Sequence, residues 1–184
     1  MHLTFKESLK KICRGGTPWV YLYVALIPFV NWSFAHVPTV AMPDGGAWSP
    51  MAIVTGLILV VRDFAQREVG HAIFLPFVIG MALSFIMAPP AIALASALAF
   101  GISELVDWAV YTFSKKPLSA RVMLSSTLSA PLDSGVFWLI ASFSVAGVFT
   151  WSTVLTAIAS KLAGALVVYV MLRRWEAKAA MPSP

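Results

Sequence analysis

The chain has 184 residues, of which 59% are hydrophobic and 11% charged, with a mean hydropathy of +0.84. That leaves too little polar surface to coat a water-soluble globule of this size, so lipid is the expected solvent. The net charge of +5 sits in short clusters between apolar runs, a pattern that sets membrane topology and offers no stripe for nucleic acid.

A hydrocarbon core of about 30 Å takes about 20 apolar residues per helix, and six runs of that kind follow in order: 17–35, 48–65, 70–87, 90–113, 119–143 and 148–172. A basic segment, 1–16, precedes them, and 173–184 forms a tail. Pro38, Pro43 and Asp44-Gly45-Gly46 break the first gap, and Arg62 to Glu68 is read as a charged second gap. Pro89-Pro90 makes the third, Ser114 to Pro117 the fourth, and Gly147 marks the fifth. With no water in the bilayer for the backbone, helices are the spanning elements. The first run, about 19 residues long, is read as a retained span and not as a cleaved signal.

Apart from Lys161, lysine and arginine are assigned to the N-terminal segment, the second and fourth gaps and the tail, and the first, third and fifth gaps hold none. The positive-inside rule therefore places both termini in the cytoplasm of a plasma (inner) membrane protein. Trp19, Trp32, Trp48, Trp151 and Trp175 fall near helix ends, as interfacial indoles do. The single cysteine, Cys13, gives neither a disulfide nor a metal-binding spacing, so no metal or cofactor is expected.

Against this background four ionisable residues stand out. Each costs about 2.5–3.5 kcal/mol at the centre of a membrane helix. They are Glu104 and Asp107 in the fourth run, Asp133 in the fifth and Lys161 in the sixth. At ~1.5 Å per residue, Asp107 comes ~9 Å, Glu104 ~14 Å, and Lys161 and Asp133 ~16–20 Å from the cytoplasmic ends. They are expected to share one layer, lining a polar cavity that opens toward the cytoplasmic half. Helical spacing puts Trp108 and Tyr111 on the stripe of Glu104, and Ser126, Ser129 and Phe137 on that of Asp133. Lys161 is expected to pair with Asp133 or Glu104. One lysine cannot neutralise three carboxylates, so the surplus acid points to a ligand site.

A carboxylate matches a planar edge bearing two N–H donors, such as that of guanine or 7-deazaguanine, and Trp108, Tyr111 and Phe137 are candidates to stack on such a ring. Amines and protons suit an acidic pocket as well. His2, His36 and His71 lie near ends or loops, and no Gly-x-Ser-x-Gly or His-Glu-x-x-His run exists, so catalysis is not expected. A non-catalytic structural subunit is the reading from a different class. Homo-oligomerisation and an energy-coupling partner both stay open, since the chain has no nucleotide-binding motif.

Several motifs occur together: Val61-Arg62-Asp63-Phe64 through Glu68-Val69-Gly70, Ser103-Glu104-Leu105-Val106-Asp107 with Tyr111, Arg121 followed by Ser125, Ser126, Ser129 and Asp133-Ser134, and Lys161. In that order they resemble the queuosine precursor transporter family, also called the vitamin uptake transporter family, over roughly residues 50–172. The resemblance implies an all-α fold of six transmembrane helices like the substrate-binding subunit of an energy-coupling-factor importer. It also implies import of 7-cyano-7-deazaguanine, its aminomethyl derivative or queuine for tRNA modification. On that reading Glu104 makes the bidentate contact, Asp133 recognises a second polar edge, and Asp107 with Lys161 holds the charged network.

Overall fold

The structure is a computed structural model that describes residues 4–144 and 148–179. The fifth gap around Gly147 and the end of the tail lie outside the described residues. Seven helices are present among those described: α1 (Phe5–Cys13), α2 (Pro18–His36), α3 (Met51–Val69), α4 (Phe74–Met87), α5 (Pro90–Phe113), α6 (Leu118–Ala141) and α7 (Trp151–Ala179). Pro18 and Pro90 open α2 and α5 in the first turn, where a missing N–H costs nothing.

Among the described residues four stretches are long and apolar enough to cross a membrane: Pro18–His36, Met51–Met87, Pro90–Phe113 and Trp151–Ala179. The second holds two helices, α3 and α4, separated by a 3₁₀ turn at Gly70–Ile73. Gly70, at φ 60°, takes the left-handed backbone that lets the chain reverse there. Helix α6 is less apolar because serine recurs along it, and Ser119, Ser125, Ser126, Ser129 and Ser134 are all buried within the protein. The chain is an all-α polytopic membrane protein.

The second gap departs from the sequence reading. Helix α3 does not stop before the charges but runs on to Val69, so Arg62 and Asp63 are helical and buried, at 1% and 0% exposure. The first gap holds a small antiparallel hairpin, β1 (Val40–Ala41) with β2 (Ala47–Trp48), in which Val40 faces Trp48 and Ala41 faces Ala47. Trp48 thus precedes the next helix, and its indole N–H donates to Ser160 Oγ at 2.9 Å.

Helix packing forms a closed ring, α4–α2–α3–α7–α6–α5 and back to α4, with α3 also reaching α5 and α6. Close approach of α3 and α7 depends on Gly56, where an added Cβ would lie 2.6 Å from both Cα and O of Lys161. Small residues at such crossings let membrane helices gain dispersion contacts that lipid would otherwise supply. Helix α1, with a Thr4–Glu7 capping box, lies across one end of the ring. There Ser8 Oγ donates to Val69 O at 3.0 Å and Lys11 Nζ to Glu68 O at 3.2 Å. This is called below the terminal side, and the opposite end the hairpin side.

Candidate functional site

The four membrane-embedded charges do not share one layer. They divide into two clusters, and Arg62 and Asp63, missed in the sequence reading, belong to the second.

The first cluster lies toward the hairpin side. Asp133 is ~12 Å from the hairpin-side end of α6, and Lys161 ~15 Å from the start of α7. Lys161 Nζ donates to Asp133 Oδ2 and, at 2.8 Å, to Ser134 Oγ. The pair is 3% and 4% exposed, so each charge compensates the other where water cannot. Of the two partners expected for Lys161, the fold selects Asp133.

This pair lines a cavity walled by Asn31 and Phe34 of α2, Thr55 of α3, Ser96 and Phe100 of α5, Phe137 and Trp138 of α6, and Thr153 of α7. Phe34 and Phe137 approach with ring centroids 5.4 Å apart. Above it sits the hairpin: Ala47 N donates to Thr153 Oγ1 at 2.9 Å, and Ser152 Oγ to Asp44 Oδ1 at 2.7 Å. The cavity volume is about 20 Å³, room for about one water. A ring-sized ligand fits only if the helices or the hairpin part. The cavity lies on the hairpin side of the Arg62–Glu104 cluster.

The second cluster lies toward the terminal side. Arg62 Nε donates to Glu104 Oε1 at 2.9 Å and Arg62 Nη1 to Asp63 Oδ1 at 3.0 Å. Tyr23 Oη donates to Glu104 Oε2 at 2.9 Å, and Ser125 Oγ to Asp63 Oδ2 at 3.0 Å. Side chains from α2, α3, α5 and α6 thus close the ring below the cavity. Asp107 is 1% exposed and stands beside Ser129, and its Oδ1 has no hydrogen-bond partner. Phe100 lines both the upper cavity and a second small one, of about 10 Å³, bordered by Tyr23, Arg62 and Glu104.

The sequence candidates therefore separate. Asp133, Lys161 and Phe137 meet at the cavity. Glu104, Asp107 and Ser129 belong to the second cluster, with Glu104 occupied on both carboxylate oxygens. Trp108 lies elsewhere, its indole N–H 3.0 Å from His71 Nδ1 and its ring against Phe74 and Phe113. Tyr111 stacks under the Arg121 guanidinium, 4.4 Å from its ring centroid. Neither aromatic lines the cavity, where Phe34, Phe100 and Trp138 join Phe137 instead. Tyr23, Asn31 and Phe34 had no sequence signal, because the first run reads only as hydrophobic. Arg62 had only a faint one: Thr55, Leu59, Arg62 and Gln66 recur at helical spacing, and only the fold shows that this stripe is buried.

Among the described residues no group of three or more His, Cys, Asp or Glu side chains is placed to hold a metal ion. The cavity brings an ion pair, hydroxyls and aromatic walls together. A family model described as "Putative vitamin uptake transporter" matches residues 47–172. The chain belongs to that family. No curated protein and no solved structure matches it significantly. The family's matched stretch runs from β2 into α7 and holds both charged clusters except for the transporter's α2 contributions, Tyr23, Asn31 and Phe34.

Proposed function

We propose that this transporter imports a 7-deazapurine precursor of queuosine, namely 7-cyano-7-deazaguanine, its aminomethyl derivative or queuine, without converting it chemically. The observation that carries the reading is the juxtaposition of Asp133 and Lys161 with Phe34 and Phe137 in one cavity. A guanine-type edge presents an oxygen acceptor next to two N–H donors. Asp133 supplies the acceptors for those donors, Lys161 the donor for that oxygen, and the aromatic walls cover the ring faces. Glu104, which the sequence favoured for the bidentate contact, is already held by Arg62 and Tyr23. In this proposal Asp133 takes that role and the Glu104 cluster acts as the inner closure.

The membrane is the plasma (inner) membrane, with the hairpin outside and the termini in the cytoplasm, in keeping with the distribution of Lys and Arg. The substrate enters past the hairpin, is enclosed above Phe100, and leaves when the Arg62–Glu104 contact between α3 and α5 parts. The family description favours a vitamin as the competing cargo. Thermal stabilisation of the purified full-length protein across deazaguanines, other nucleobases and vitamins decides, because a ligand that binds only the folded state raises its stability by mass action. Selective stabilisation by 7-deazaguanines is expected. Stabilisation by a vitamin alone overturns the assignment, and stabilisation by no small polar compound favours a structural subunit.

A further inference from the structure

Asp63, Glu104 and Asp107 are three buried carboxyls in one cluster, and their hydrogen bonding is unequal. All four oxygens of Asp63 and Glu104 receive donors, from Arg62, Ser125 and Tyr23. Both carboxyls are thus fully supplied with donors, the arrangement that suits the ionised form. Asp107 is different: its Oδ1 has no partner. The Ser129 hydroxyl stands beside it and also reaches Ser125 O at 2.9 Å. A protonated Asp107 can donate to Ser129 while that hydroxyl keeps its bond to Ser125 O, so the protonated acid completes the chain without taking a donor from it.

Charge balance singles out the same residue. The groups facing the cluster are Tyr23 from α2, Arg62 and Asp63 from α3, Glu104 and Tyr111 from α5, and Arg121 from α6. Lys161 of α7 is committed to Asp133. Arg62, in ion pairs with Asp63 and Glu104, and Arg121 nearby make two cations facing three carboxyls, so a charge on Asp107 would be surplus in a place where uncompensated charge is most costly. A metal cation is not the missing group, because the Arg62 guanidinium already occupies the space between the carboxylates.

We propose that Asp107 is a proton-binding site that holds its proton while the inner cluster is closed and releases it to the cytoplasm as the cluster opens, coupling import to proton entry. The proposal rests on the transporter reading. The step is a simple dissociation: the Asp107 O–H breaks, the electron pair stays on the carboxylate, and the proton goes to water ~9 Å away at the terminal-side end of α5. Ionised Asp107 then competes with Glu104 for Arg62 and weakens the contact that joins α3 to α5. A proton arriving with the substrate crosses the Phe100 wall between the two cavities and restores the closed cluster.

The test uses full-length protein in lipid nanodiscs and in proteoliposomes. The infrared spectrum at neutral pH should contain the carbonyl stretch of a protonated carboxylic acid. Asp107→Asn should lose it and Asp133→Asn should keep it. Asn donates to Ser129 as the protonated acid does, so Asp107→Asn should fold with an unchanged melting temperature. With 7-cyano-7-deazaguanine as probe, one proton per substrate gives about tenfold accumulation per unit of pH gradient, and Asp107→Asn should show none. Absence of the infrared band in the wild type, or its persistence in Asp107→Asn, overturns the proton site whatever the cargo. Gradient-independent uptake by the wild type overturns the coupling. If the probe neither binds nor is taken up, the substrate assignment fails while the infrared result still decides the proton site.

Discussion

Arg62 of α3 donates from Nε to Glu104 of α5 at 2.9 Å, with both side chains withdrawn from solvent. This bond joins two helices that otherwise meet little, since the ring runs from α3 through α7 and α6 to α5. The same guanidinium holds Asp63, so one cation organises two carboxylates.

Removing that cation should be severe. Arg62→Met leaves Glu104 and Asp63 buried without their ion-pair partner, and breaking a buried pair on one side costs about 3–5 kcal/mol. Thermal unfolding of the purified variant should show a large loss of stability. Adding Glu104→Gln and Asp63→Asn to Arg62→Met should recover much of it, because the amides need no counter-charge. Equal instability of single and triple variants would show that the pairing is not the cause.

The α3–α7 crossing gives a second prediction. A side chain at position 56 meets Lys161 backbone, not a movable side-chain tip, so Gly56→Leu must push α7 outward. Overpacking of this kind costs about 1–3 kcal/mol and should displace Lys161 from Asp133. Loss of ligand-induced stabilisation is expected even where the protein accumulates, whereas wild-type binding by Gly56→Leu would separate the site from this crossing.

How far these features could be read in advance depended on what limits each helix. Runs bounded by Pro89-Pro90 or Lys115-Lys116-Pro117 were legible because those residues stop a helix or cannot stay in lipid. The second gap was not, since Arg62 and Asp63 look like a loop until a partner at Glu104 makes their burial affordable. Lys161 and Asp133 were legible as misplaced charges, but their depth relative to Glu104 was not. Helix tilt and register are set by contacts such as Gly56 with α7, and those depend on the assembled ring.

The hairpin clasp should respond to acid. The Ser152 hydroxyl and the Gly46 N–H hold the exposed Asp44 carboxyl below its ordinary value of 3.8. A depressed folded-state value means that the clasp's contribution is complete above 3.8 and is lost as pH falls through the lower value. Protection of the Gly46 and Ala47 amides, taken relative to their intrinsic exchange rates, should therefore fall at acid pH in the wild type. Asp44→Asn should be less protected than wild type at neutral pH and lose little more on acidification, while identical protection profiles would remove Asp44 from the clasp.

Topology is tested best at a position that tolerates a cysteine. Gly46 is unsuitable, because a Cβ there would run into the hydroxyls of Thr150, Ser152 and Thr153. Pro43 is exposed on the hairpin. With Cys13 replaced, Pro43→Cys should react with an impermeant reagent from outside intact cells, and Lys115→Cys only after permeabilisation. The reverse pattern would invert the proposed orientation.

Asp133 and Glu104 make opposite predictions for recognition. Asp133→Asn keeps the shape but turns an amide donor toward a ligand donor, so a guanine-type edge loses one charge-assisted hydrogen bond. Such a bond is worth about 1.5–3 kcal/mol, or roughly ten- to a hundredfold in affinity. Ligands of hypoxanthine type, which lack the exocyclic amine, should lose less. Glu104→Gln acts elsewhere: its oxygen still accepts from Arg62 Nε and its NH₂ can donate to the Tyr23 oxygen, but the charge that pairs with Arg62 is lost. Stability should fall, while the ratio of guanine-type to hypoxanthine-type binding stays unchanged. Phe137→Ala should weaken both ligands to a similar degree, since a ring face is common to them. Competition binding to the three purified variants reads all of this at once. If Glu104→Gln changes the preference and Asp133→Asn does not, the base sits below Phe100 against the Arg62 cluster, and the upper cavity is only its route of entry.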